Sequence, residues 1–210
     1  MSVLSEILEH KIVAIIRGAD PNDVLKIAEA LHAGGVKLLE VTLNSENAIE
    51  VIKQVADAMK DKMQIGAGTV LNEIKAKEAI NAGARFIISP SFDIKTIQKT
   101  KELGAVSIPG AYTPTEIVSA YNGGGDIIKV FPASSNVNYI REVRAPLSHI
   151  PLMPTGGISL ENIKDFQNAG AVAFGIGTAL VNTKEKITRE YLELLTERAR
   201  QFSMAVKESK

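Results

Sequence analysis

The chain has 210 residues, 45% of them hydrophobic and 23% charged, a length and apolar content that suit one globular domain over residues 1–210 and exclude a disordered chain. Its 24 basic residues balance 24 acidic ones, so no broad field draws in nucleic acid or an anionic membrane, and any anion site has to be local. Cysteine is absent, which removes disulfides, thiolate catalysis and sulfur-ligated metals and suits a reducing, cytoplasmic address.

Near the N-terminus, Val3, Leu4, Ile7 and Leu8 alternate with Glu6 and Glu9, the pattern of an amphipathic helix rather than a secretion signal. No later stretch approaches the roughly 18 to 20 apolar residues of a membrane span. Short apolar runs then alternate with helical patterns, the signature of repeated βα units around a parallel sheet. The predicted strands are 12–16, 36–43, 63–66, 85–89, 105–108, 126–131, 150–154 and 171–176. Asp20-Pro21 reads as the start of the helix after the first strand and Gly34-Gly35 as its stop, with Leu25, Ile27, Ala28 and Leu31 on its apolar face. Gly83, Gly104 and Gly170 repeat that stop just before later strands.

This structural repeat predicts an α/β chain closed into a (β/α)8 TIM barrel of near-minimal length, preceded by an N-terminal helix. The competing open, doubly wound sheet often carries Gly-x-Gly-x-x-Gly after its first strand, where this chain has Arg17-Gly18-Ala19-Asp20. The charged stretch 184–210 is predicted to be a last helix that closes the barrel, with Leu192, Leu195 and Ala199 on its core face.

In such a barrel functional residues sit at the carboxyl ends of strands. Lys129 lies in Asp126-Ile-Ile-Lys-Val-Phe-Pro132, where a strand should be buried on both faces. Burial disfavours an ammonium and leaves more free amine to attack a carbonyl and form a Schiff base; the alternative is a lysine near a strand end whose head snorkels to water. On the second strand Glu40 and Thr42 share the face of Val36 and Leu38, so a carboxylate enters the barrel. It serves either as a structural partner of Lys129 or as the general acid and base that imine chemistry needs, and both readings place the two close together.

The third strand ends Ile65-Gly66-Ala67-Gly68-Thr69, where glycines admit close approach of a ligand to backbone and the threonine can donate to a carboxylate. Arg17 offers a guanidinium fork for a carboxylate or phosphate, or else a surface salt bridge. Pro154-Thr155-Gly156-Gly157-Ile158-Ser159 and Gly175-Ile176-Gly177-Thr178 follow the seventh and eighth strands, the loops whose bare N–H groups commonly bind phosphate in barrels. His10, His32 and His149 stand apart without a ligand-like spacing, so no metal is expected.

Glu40-Val-Thr-Leu, Gly66-Ala-Gly-Thr-Val-Leu, Ile88-Ser-Pro, Ile108-Pro-Gly, Lys129-Val-Phe-Pro and Pro154-Thr-Gly-Gly-Ile resemble, in order and spacing over almost the whole chain, the 2-keto-3-deoxy-6-phosphogluconate aldolases. The resemblance implies a class I aldolase, usually a homotrimer, that cleaves a phosphorylated 2-keto-3-deoxy sugar acid to pyruvate and glyceraldehyde 3-phosphate; some members also take 4-hydroxy-2-oxoglutarate. It implies a covalent lysine imine and no metal or other cofactor. Carried over by position, Lys129 is the Schiff-base lysine and Glu40 the proton shuttle. Thr69 contacts the pyruvate carboxylate, Pro90 shapes the wall beside the lysine, and Thr155, Gly156, Gly157, Gly177 and Thr178 hold the distal end and its phosphate.

One departure stands out, because the gluconate-type enzymes carry an arginine where this chain has Asn44, whose amide brings a hydrogen-bond donor and no charge. A branch acting on the galactonate epimer is more similar there, with Leu-Asn-Ser after the strand and an Arg-Gly matching Arg17-Gly18. Arg17 is therefore expected to take the carboxylate, worth roughly 2 to 4 kcal/mol if that contact is buried. Two rival readings are a metal-independent phosphosugar isomerase or synthase barrel without a covalent step and a non-catalytic phosphosugar-acid binding protein.

Overall fold

The structure, a computed structural model, describes residues 2–134 and 136–207; Met1 of the predicted first helix and 208–210 of the predicted last one lie outside the described residues. In chain order the elements are α1 (Val3–His10), β1 (Ile12–Ile16), α2 (Val24–Ala33), β2 (Leu38–Thr42), α3 (Ala48–Ala58), β3 (Gln64–Gly68), α4 (Glu73–Asn81), β4 (Phe86–Ile88) and α5 (Ile94–Glu102). They continue with β5 (Val106–Ile108), β6 (Gly110–Ala111), α6 (Pro114–Asn122), β7 (Ile128–Val130), α7 (Val137–Arg144), β8 (Leu152–Pro154), α8 (Ile163–Asn168), β9 (Phe174–Ile176) and α9 (Arg189–Ala205). The alternation makes a mixed α/β fold on parallel strands. One sheet has the order β5-β4-β3-β2-β1-β9 and the other β6-β7-β8.

Only Pro109 separates β5 from β6, and its carbonyl accepts from the Lys129 N–H at 2.9 Å. Proline has no N–H for a ladder, so it divides one run into two short strands. The predicted strand 105–108 ends just before that proline. At the other margin a parallel bridge pairs Thr155 with Gly175, and the Val172 N–H donates to the Leu152 carbonyl at 3.0 Å, which ties β8 to β9.

Every residue of β1 and β2 is buried, as parallel strands covered on both faces require. Alternation divides their side chains between two cores. Ala14, Leu39 and Val41 pack outward under the helices, whereas Val13, Leu38, Phe86, Val106, Ile127 and Ala173 pack inward with Ile7 of α1. These inward residues lie mostly at the amino ends of the strands, so α1 closes that end with an apolar plug. Glu40 follows Leu38 at the strand period and Lys129 follows Ile127, which sends both inward. Val36 does not share that face: β2 begins at Leu38, and Val36 belongs to the outer core.

Two predicted helix boundaries shift. The Asp20 carboxylate accepts from the Asn22 N–H at 2.9 Å, a local turn that competes with helix, and α2 starts only at Val24. The closing helix starts at Arg189 instead of 184, where the Thr188 side chain accepts from the Tyr191 N–H; Leu195 and Ala199 are buried as expected, with Leu192 half-buried. Among the described residues, no helix is long and apolar enough to cross a membrane.

Gly66 owes its identity to packing, since a Cβ there would stand 2.2 Å from the Phe86 ring. Gly66→Ala should lower unfolding free energy by about 1 to 3 kcal/mol through overpacking, read from the urea midpoint. Gly177→Ala, with nothing within 4 Å of the added methyl, should stay within about 0.5 kcal/mol of wild type.

Candidate active site

At the carboxyl ends of the strands the inner space turns polar. Lys129 is the middle residue of β7 and 3% exposed, with its ammonium nitrogen 5.0 Å from the centroid of the Phe131 ring. Glu40 is fully buried, and neither carboxylate oxygen has a hydrogen-bond partner. Burial pushes the Glu40 carboxyl above its ordinary range, opposed by the positive charges of Lys129 and Arg17. Burial pushes the Lys129 amine down, opposed by Glu40 and reinforced by Arg17. Lys129 and Glu40 therefore share one low-dielectric site, which the Arg17 charge reaches and in which desolvation outweighs the attraction between opposite charges.

The glycines of β3 have another role than the expected approach of backbone to ligand. A Cβ on Gly68 would lie 1.7 Å from Glu40 Oε1, so the carboxylate rests against bare backbone, as Phe86 does at Gly66. Thr69 then leaves the strand half-buried in the left-handed region, with φ 56°, a conformation that costs a β-branched residue energy and often marks a functional site. Pro90 is half-buried, and its carbonyl group packs against Gly110, the register partner of Lys129. Asn44 is exposed in the turn after β2, and no side-chain bond holds it among the described residues.

A cavity of about 510 Å³ opens beside this pair. It is lined by Arg17, Thr155, Gly156, Gly157, Gly177 and Thr178, and Phe131 forms the wall that touches Lys129. Lys129, Glu40, Asn44, Thr69 and Pro90 are not among its lining residues. The buried Thr155 hydroxyl has no partner, while Gly156 and Gly157 adopt φ of 93° and 75°, values that suit glycine. Arg17 is exposed at the rim of this cavity.

Several residues of the site escaped the sequence reading. Phe131 was legible as the next inward position after Lys129. Thr183 and Lys184 carried no motif, and Ser45 was visible only as the end of Leu43-Asn-Ser: the Ser45 hydroxyl accepts from the Gly18 N–H at 2.9 Å, the Thr183 hydroxyl donates to the Arg17 carbonyl at 2.7 Å, and Lys184 lines the cavity. Among the described residues, no group of three or more His, Cys, Asp or Glu could hold a metal ion.

The family described as KDPG and KHG aldolase matches residues 3–196. The chain is 31% identical to the 2-dehydro-3-deoxy-6-phosphogalactonate aldolase of Escherichia coli K12, over 85% of this chain and 88% of that one. It is 39% identical to the 2-dehydro-3-deoxy-phosphogluconate aldolase of Dickeya dadantii 3937, over 67% and 66%. The KDPG aldolase of Legionella pneumophila, solved with pyruvate captured at low pH as a covalent carbinolamine, superimposes with a TM-score of 0.85 at 26% identity, over 95% of this chain and 97% of that one.

Replacing both buried ionisable groups by similar-sized uncharged ones, Glu40→Gln with Lys129→Met, should raise unfolding free energy near pH 7 by about 1 to 4 kcal/mol. The sign of the pH dependence follows from the two shifts. Lys129, with its folded pKa below the ordinary 10.5, gives the wild type stability that rises with pH up to 10.5. Glu40, with its folded pKa above the ordinary 4.5, gives stability that rises as pH falls to 4.5. The advantage of the double variant should therefore peak between those limits and shrink toward each, as denaturant titrations across pH would show.

Proposed function

The chain belongs to the KDPG and KHG aldolase family, a pyruvate-forming class I aldolase, and on that premise we propose that Lys129 condenses with the keto group of a phosphorylated 2-keto-3-deoxy sugar acid. The observation that carries this reading is an inward lysine, kept toward its free amine by burial, in the same field as a buried carboxylate with both oxygens unpartnered.

In this reading the amine adds to the carbonyl carbon, and Glu40 supplies the proton that lets the carbinolamine oxygen leave as water. The Glu40 carboxylate so formed takes the proton of the C4 hydroxyl, the C3–C4 bond breaks, and its electron pair moves into the protonated imine to make an enamine. Glyceraldehyde 3-phosphate departs. Reprotonation at C3 and hydrolysis release pyruvate and restore the amine. The imine is the electron sink, so the reaction needs no metal, and the other side chains chiefly position and polarise the substrate.

Arg17 and Thr69 receive the carboxylate, with Asn44 as a neutral neighbour and Pro90 in the wall. Thr155, Gly156, Gly157, Gly177 and Thr178 hold the phosphate; the unpartnered Thr155 hydroxyl and the positive φ of the two glycines support this assignment. The ties at Pro109 and between Thr155 and Gly175 support a closed (β/α)8 barrel forming one domain. The family reading adds a homotrimer working in the cytoplasm. A dicarboxylate such as 4-hydroxy-2-oxoglutarate would set its second carboxylate against the same phosphate loops.

Borohydride reduction in the presence of pyruvate should leave one pyruvate-derived adduct on the peptide containing Lys129, detected by intact mass and peptide mapping and absent in Lys129→Ala. No adduct in folded wild-type protein would move Lys129 to electrostatic work and favour the isomerase or synthase reading. Glu40→Gln should lower turnover by about 10²- to 10⁴-fold. Because Arg17 is exposed, Arg17→Ala should lower kcat/KM by about 10- to 150-fold, the equivalent of roughly 1.5 to 3 kcal/mol; unchanged efficiency would end its assignment to the carboxylate.

A further inference from the structure

Arg17 is the only cation named for the carboxylate, yet sterics do little to fix where its guanidinium goes. Its side chain is exposed and has no hydrogen-bond partner among the described residues. The next residue, Gly18, has φ 66° with nothing within 4 Å of where a Cβ would be, so no side-chain packing restricts the backbone there. An arginine on such a segment would lose much conformational freedom on gripping a ligand, and that loss weakens binding.

The segment is nevertheless tied from two sides. On one side the Gly18 N–H donates to Ser45 Oγ at 2.9 Å, and Ser45 Oγ lies 3.0 Å from Oγ1 of Thr42, which is fully buried on β2 two residues beyond Glu40. On the other side Thr183 Oγ1 donates to the Arg17 carbonyl at 2.7 Å, and Thr183 itself lines the cavity beside Lys184. The peptide group joining Arg17 to Gly18 is thus held at its oxygen by the loop after β9 and at its nitrogen by the loop after β2. Fixing both ends of one peptide plane sets the direction in which the Arg17 side chain departs.

We propose that Ser45 and Thr183 are positioning residues that orient Arg17 for the substrate carboxylate, so that loops from three strands assemble the grip jointly. The inference rests on the aldolase reading and deepens it. Asn44 brings no charge beside the carboxylate; its neighbour Ser45 contributes by holding an arginine supplied from another strand. Thr183 also links the carboxylate arm to the loop that carries Gly177 and Thr178, so the two ends of the substrate are received by one bonded unit.

The test compares borohydride trapping on Lys129 with two ketones, pyruvate and hydroxyacetone, the second lacking a carboxylate. Ser45→Ala and Thr183→Val should each raise the pyruvate concentration for half-maximal trapping by about three- to ten-fold, the worth of one hydrogen bond, and leave the value for hydroxyacetone unchanged. Thr183→Ser, which keeps the donor, should behave as wild type. In an Arg17→Ala background the first two substitutions should have no further effect, because their effect passes through Arg17. Equal shifts for both ketones, shifts that persist without Arg17, or no shift at all would each overturn the proposal. Wild-type protein that forms the Lys129 adduct while Ser45 and Thr183 prove indifferent would overturn this inference alone; wild type that forms no adduct would overturn the aldolase reading as well.

Discussion

The site depends on the removal of Lys129 and Glu40 from water. Desolvation is the leading influence on both groups, pushing the amine down and the carboxyl up, while their mutual attraction opposes it. An exposed pair would simply stay as ammonium and carboxylate. Burial narrows the gap between that charged form and the form with a proton moved across, which is what a pair needs if one member is to be a nucleophile and the other an acid as well as a base. The cost is borne by the fold, since the Glu40 oxygens forgo hydrogen bonds.

That cost is supportable because the inner space is divided along the strands. Ile7, Val13, Leu38, Phe86 and Ile127 fill the amino ends as an apolar core, and the polar groups begin one strand period later. Two glycines of β3 make the division fit, one admitting the Phe86 ring and the other the Glu40 carboxylate. Alternation along β2 and β7 then carries the change from apolar plug to reactive pair within a single step, from Leu38 to Glu40 and from Ile127 to Lys129.

Much of this was legible in the sequence, because the strand period and the burial of Lys129 and Glu40 are local properties. The α/β alternation, the inward pair and the two glycine-rich loops that line the cavity followed from spacing alone. What stayed hidden depended on long-range geometry. Ser45 and Thr183 matter through bonds to Gly18 and Arg17 across 27 and 166 positions of chain, and no motif announces such a bond. Gly66 and Gly68 were visible but assigned to ligand approach, since a sequence does not show which side chain crosses above a glycine. The late start of α2 reflects a local competition, in which the Asp20 carboxylate bonds the Asn22 N–H and makes a turn.

Arg17 adds an element that the pair alone lacks. A direct Lys129–Glu40 attraction favours both charges, whereas the Arg17 cation disfavours protonation of Lys129 and favours ionisation of Glu40. In the free enzyme it thus promotes a free amine, the form that attacks the keto group, and a carboxylate, the form that can take the C4 hydroxyl proton. On the proposed role of Arg17, the arriving carboxylate offsets this positive charge, and both buried groups then hold protons more readily. The bias turns toward acid at the step where the carbinolamine oxygen needs a proton to leave. On that proposed role, one cation acting on both the substrate carboxylate and the buried pair couples binding to the protonation state that the next step requires.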